Sequence, residues 1–100
     1  MIFIKEPIEF EWDQGNEEKN WEKHKVNIKE TEEIFFDKDK QEYPDPEHSN
    51  KNEERKIVVG ATKNKRLLFI VYIIRNGKVR IISARDLNKK KEKELYEEAT

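Results

Sequence analysis

The segment at residues 67–85, LLFIVYIIRNGKVRIISAR, constrains the fold more than any other. Asn76-Gly77 separates two apolar runs, and a two-residue hairpin turn needs residues that accept positive φ at both central positions. Residues 67–74 are apolar without a break. Such a run is buried on both faces, which predicts a strand inside its sheet rather than at an edge. Residues 78–84 return, apolar except for Lys78, Arg80 and Ser83, and Arg85 follows. A cation among buried aliphatics is costly without a partner. That partner is either an internal carboxylate or a ligand, and the functional question turns on which.

The two-residue turn also sets a register. It pairs Arg75 with Lys78, Ile73 with Arg80, Tyr72 with Ile81, Ile70 with Ser83 and Leu68 with Arg85. Alternation then sorts the side chains. Phe69, Val71, Ile73, Arg80, Ile82 and Ala84 fall on one face, expected to be the core. Ile70, Tyr72, Ile74, Val79, Ile81, Ser83 and Arg85 fall on the other, where a ligand is expected toward Ser83 and Arg85.

Upstream, Ile8-Glu9-Phe10-Glu11-Trp12 alternates and predicts a half-buried edge strand. Asp13 to Gly15 turns into a polar helix over about residues 16–25, with Trp21 as its one large apolar residue. Asn20, Lys23 and His24 share one face of it, either solvated or turned toward a substrate as a hydrogen-bonding, proton-handling surface. Asn27-Ile28-Lys29-Glu30 has the form of a capping box for a second helix, which buries Ile28, Thr31, Ile34 and Phe35. Residues 37–54 are polar, contain Pro44 and Pro46, and read as a long connection. A strand follows at residues 55–61. Beyond Arg85, Asp86 or Asn88 caps a final helix through KKKEKELYEEA. The order is strand, helix, helix, three-strand meander, helix. It predicts one α+β domain over residues 1–100, a small antiparallel sheet packed with two N-terminal helices and one C-terminal helix.

With 43% charged and 34% hydrophobic residues, the chain supports one modest core. A net charge of −1 argues against a broadly basic surface but leaves room for a local basic patch. Absence of cysteine removes disulfides and thiolate zinc sites. Gly15, Gly60 and Gly77 are too scattered for a phosphate loop, and His24 and His48 lack metal-ligand spacing. No metal and no cofactor are expected. No apolar run reaches membrane-spanning length and no signal-like N-terminus is present, so a cytoplasmic protein without membrane contact is expected.

What remains is a set of cations near one small sheet: Arg55, Arg80, Arg85, Lys23, His24 and His48, with Tyr72 close by. Guanidinium forks suit phosphate oxygens. Such a set could cleave RNA without metal, one group deprotonating a ribose 2′-hydroxyl, another protonating the leaving 5′-oxygen, and arginine stabilising the phosphorane. The same residues also fit a non-catalytic module that binds a partner or operator DNA.

Six segments carry a family resemblance. They are Phe10-Glu11-Trp12-Asp13, Asn20-x-x-Lys23-His24-x-Val26-Asn27, and Asp45-Pro46-Glu47-His48-Ser49. Glu54-Arg55 ahead of Gly60, Leu68-Phe69-x-Val71-Tyr72 and Arg80-Ile81-Ile82-Ser83-Ala84-Arg85 complete the set. In this order, across residues 10–97, the chain resembles the BrnT toxin family. The resemblance implies a type II toxin with a RelE-like fold that acts as a ribonuclease on RNA. It also implies neutralisation by a BrnA-type antitoxin with a ribbon-helix-helix part, and contact with operator DNA only through that complex. Arg80, Arg85, His24 and Arg55 are then the catalytic candidates, and Lys23, Tyr72, Ser83 and His48 are expected to contact RNA. Two departures stand out: Lys25 occupies a position where the family usually has glycine, and the final helix is one residue longer between Arg85 and Tyr96.

Overall fold

The computed structural model describes residues 8–12, 14–45 and 53–87. Its elements are β1 (Phe10–Glu11), α1 (Gln14–His24), α2 (Ile28–Ile34), β2 (Gln41–Pro44), β3 (Arg55–Ala61), β4 (Leu67–Arg75) and β5 (Lys78–Asp86). The five strands form one sheet in the order β1-β5-β4-β3-β2. The central position of β4 is the one its unbroken apolar run predicts. The expected C-terminal helix and His48 lie outside the described residues.

Three expectations about the sheet need correction. It is mixed rather than antiparallel, because β1 runs parallel to β5, with Phe10 beside Val79 and Glu11 beside Arg80. The alternating stretch at residues 8–12 contributes only two paired residues. The connection after α2 also holds a strand: β2 pairs with β3, Tyr43 against Ile57 and Pro44 against Lys56. Pro44 is tolerated because β2 is an edge strand, where a missing N–H leaves no ladder bond unmade.

Asn76 and Gly77 both take positive φ, 53° and 77°. The pairs nearest the turn are the expected ones: Arg75 with Lys78, Ile73 with Arg80 and Tyr72 with Ile81. Beyond them the register slips. Val71 pairs with Ser83, so Ile82 is an extra residue, a β-bulge, and every later pair moves by one. Ile70 therefore faces Ala84 instead of Ser83, and Phe69 rather than Leu68 faces Arg85.

The core lies on the face opposite to the one expected. Val58, Leu68, Ile70, Tyr72, Val79, Ile81 and Ala84 pack with Val26, Ile34 and Phe35 of the helical layer. Phe35 meets Tyr72 and Phe10 edge-to-face, with centroids 5.1 and 5.3 Å apart. Alternation could not decide the face because β4 is apolar on both sides; on the other side Val59 and Ile73 are also buried. Gly60 lets α2 approach the sheet, since a Cβ there would come within 2.9 Å of Ile34 Cγ2.

The capping box of α2 forms as predicted: Asn27 Oδ1 accepts from the Glu30 amide, and Glu30 Oε1 accepts from the Asn27 amide. The turn between the helices is less comfortable. Lys25 closes α1 in the left-handed region, φ 54°, with its N–H bonded to Trp21 O. This is the C-terminal motif that glycine serves best. Lys65 adopts φ 68° in the β3–β4 loop, a turn in which its N–H bonds to Thr62 O.

Candidate functional site

The bulge at Ile82 decides which side chains can act together. Without it, Ser83 and Arg85 would point to the core face. With it they share the face away from α2 with Arg80, and with Arg55, whose strand neighbour is Ile73. Rows across the sheet then read Arg55–Ile73–Arg80, Ile57–Val71–Ser83 and Val59–Phe69–Arg85. The first and last rows are ~13 Å apart at strand rise.

Each arginine is held differently. Arg80 Nη1 donates to Glu11 Oε1 at 2.9 Å, a pair set up by the parallel β1–β5 register. Arg85 lies over the Phe69 ring, 4.3 Å from guanidinium carbon to centroid, and its Nη1 donates to Asp86 O at 3.1 Å. A cation stacked on an aromatic face has the plane of its guanidinium fixed.

Helix α1 completes the edge of β5 where β1 stops. Asn20 Oδ1 accepts from the Ala84 amide at 3.2 Å, a side chain standing in for a strand. Asn20 is buried, and its Nδ2 finds no acceptor among the described residues. Lys23 is exposed and His24 half-buried at the end of this helix.

Arg66, which the sequence does not single out, fixes that end. Its Nε and Nη2 donate to the two Asp86 oxygens at 2.6 and 3.0 Å. Nη1 donates to Lys25 O and Glu30 Oε2 at 2.8 and 2.9 Å, and Nη2 also to His24 O at 2.9 Å. These contacts occupy the five N–H donors of the side chain. Hydrogen bonding to Asp86, outweighing burial and reinforced by Glu30, raises its pKa further and keeps it charged. The C-terminal turn of α1, bearing His24, is thereby clamped to the end of β5 that bears Arg85. The only sequence trace of this role is an arginine, rather than another lysine, next to the apolar strand.

Tyr72, expected to contact substrate, is a core residue instead. It is 1% exposed, and its hydroxyl donates to Glu42 Oε1 at 3.4 Å. Burial, with Glu42 and Glu54 nearby, pushes its pKa up, so the phenol holds its proton. It went astray with the face assignment. Arg55, Arg80, Ser83 and Arg85 share one sheet face, spread over ~13 Å of strand, His24 and Lys23 end the helix beside β5, and Tyr72 lies on the core face. Among the described residues no group of three or more His, Asp or Glu side chains is placed to hold a metal ion. No helix among them is long and apolar enough to cross a membrane.

A small α+β domain with arginines gathered on one sheet face and a histidine-bearing helix at its edge is equipped to handle phosphate anions. Residues 12–91 match the family model of the ribonuclease toxin BrnT of type II toxin–antitoxin systems. The match spans most of the chain, and the chain belongs to that family. It is a ribonuclease toxin by family, with RNA as substrate class and an antitoxin as partner. No curated protein matches the sequence.

Proposed function

We propose that the chain is an endoribonuclease that works without a metal ion. A ribose 2′-oxygen attacks the adjacent phosphorus, the new P–O bond forms as the P–O5′ bond breaks, and a 2′,3′-cyclic phosphate and a 5′-hydroxyl result. One group takes the 2′-hydroxyl proton and another delivers a proton to the departing 5′-oxygen. Arg85 stabilises charge on the phosphorane, and Arg80, tied to Glu11 ~13 Å along the sheet, holds a neighbouring phosphate of the same strand. His24 is our candidate for one proton transfer, an imidazole being suited to both directions. Arg55, Lys23 and Ser83 bind the RNA backbone, and His48 is retained as a contact from the segment outside the described residues.

The observation that carries this reading is the bulge, which turns Ser83 and Arg85 onto the face of Arg80 and Arg55. The test is incubation of the purified chain with RNA, with and without EDTA. Cyclic-phosphate ends in both samples are expected. Loss of cleavage in EDTA would remove the metal-free mechanism, and intact RNA in both would remove the enzyme.

The antitoxin in this proposal is of the BrnA type, with a ribbon-helix-helix part that carries the complex to operator DNA. A segment of it covers the Arg80–Arg85 face and keeps RNA away. Hydrogen exchange, free and bound, should show protection in β4 and β5; protection elsewhere with RNA cleavage still running would refute it. The Arg80–Glu11 pair favours a second reading, a non-catalytic module in which Arg80 is structural. The RNA incubation separates the two.

A further inference from the structure

We infer that Arg66 is a positioning residue for the proposed chemistry, setting His24 beside Arg85. The inference rests on the ribonuclease reading and adds to it the group that aligns two of its parts.

Helix α1 is tied to β5 at two levels. Asn20 Oδ1 accepts from the Ala84 amide at 3.2 Å. One turn on, Arg66 Nη2 touches the His24 carbonyl at 2.9 Å and Asp86 Oδ2 at 3.0 Å, so a single nitrogen atom separates helix from strand. Four helical residues advance ~6 Å and two strand residues ~6.6 Å, so the two spacings agree. Helix and strand therefore run side by side in the same sense, and His24 comes level with Arg85 and Asp86. The bond at Asn20 alone would leave the helix free to pivot about it, and the second tie removes that freedom. Packing within the helix does little to replace these ties. Its one large apolar residue, Trp21, is 50% exposed, and among its described residues only Asn20 is buried.

Arg66 acts here through backbone and carboxylate. The last carbonyls of α1 have no donors within the helix, and a rigid guanidinium fork supplies them. Nη1 reaches Lys25 O at 2.8 Å while Nε holds Asp86 Oδ1 at 2.6 Å. Asp86 is also gripped from its other side, its backbone carbonyl accepting from Arg85 Nη1 at 3.1 Å. His24, Arg66, Asp86 and Arg85 thus form an unbroken series of contacts. With a fifth bond to Glu30, Arg66 has all its donors engaged inside the protein, which leaves it a part in aligning the site and none in holding phosphate.

The test is steady-state cleavage of an RNA oligonucleotide by the full chain, comparing Arg66→Lys, Asp86→Asn, His24→Ala and each of the first two combined with His24→Ala. Circular dichroism melts set an assay temperature at which the variants are folded. Asp86→Asn loosens the tie from the strand side and leaves the carbonyl bonds of Arg66 in place, so it carries the same comparison should Arg66→Lys not fold. We expect Arg66→Lys to lower kcat by about 10²-fold, the scale of a small misplacement of a reacting group, with KM near the parent's. Asp86→Asn should lower kcat in the same way by a smaller factor. Once His24 is alanine, neither change should lower kcat further. Folded variants that melt early but keep the parent's kcat make the tie structural and overturn the inference. Equal losses with and without His24 overturn it as well. A His24→Ala chain that cleaves like the parent overturns it while leaving the ribonuclease reading intact, and a parent that leaves RNA whole overturns both.

Discussion

Arg85 and Phe69 face each other across β4 and β5, the guanidinium resting on the ring at 4.3 Å. They meet only because Ile82 bulges from β5. The ring fixes the plane of the cation, and a fixed cation stabilises a transition state more than a mobile one. Arg85→Ala should therefore reduce RNA cleavage by about 10²–10³-fold, on the scale of losing one oxyanion donor. Its melting temperature should stay near that of the parent. A variant that melts early yet still cuts RNA would make Arg85 a structural residue.

Arg80 is expected to behave differently from Arg85. Arg80→Ala strands the Glu11 carboxylate at the β1–β5 junction, so stability and cleavage should fall together. Glu11→Gln keeps the shape of the pair and should cost less than about 1 kcal/mol in urea titrations. If Glu11→Gln destabilises as much as Arg80→Ala, the ion pair rather than the arginine's other contacts holds this edge.

Arg66→Ala removes five donors at once and leaves Asp86, Glu30 and the carbonyls of His24 and Lys25 without them. The site is partly exposed and water replaces some of these bonds, so we expect a loss of about 2 kcal/mol. Arg66→Lys should recover only a minor part, since an ammonium cannot span two carbonyls and two carboxylates. Urea unfolding of the three proteins checks the order.

Lys25→Gly should stabilise the chain. At φ 54° a side chain is strained, and glycine relieves about 1 kcal/mol despite its greater freedom when unfolded. An unchanged or lower urea midpoint would show that the Lys25–Trp21 contact outweighs the backbone strain.

Tyr72 predicts an alkaline limit to stability. Burial, then Glu42 and Glu54, raise its pKa in the folded chain. The native state keeps the phenolic proton after the unfolded chain has begun to release it, so stability is complete below about pH 10 and falls as pH rises above it. Tyr72→Phe should flatten that part of the pH–stability curve. A curve as steep as the parent's would place the titrating group elsewhere.

The hairpin, its turn and the α2 capping box were legible because each rests on local chemistry: positive φ at Asn76 and Gly77, and a reciprocal bond between Asn27 and Glu30. Arg80 and Arg85 were legible as cations out of place in an apolar strand. The face they occupy was not. Nothing in RIISAR marks Ile82 as the extra residue, and a one-residue slip reverses every side chain after it. That reversal put Tyr72 among the RNA contacts and Arg85 on the wrong side of Arg80. The β2 strand was hidden by Pro44, which reads as a breaker unless the strand is known to be an edge.

Glu11 and Arg80 stand 69 positions apart in the chain. The meander of β3, β4 and β5 closes through short loops, whereas the β1–β5 junction must wait for a long loop to close. During synthesis β1 leaves the ribosome first and stays without its parallel partner until β5 has emerged. The last part of the sheet to assemble is then the one that anchors an arginine of the proposed site. A growing polypeptide thus lacks the carboxylate–guanidinium junction until β5 has emerged, and synthesis itself sets a delay before the sheet is whole.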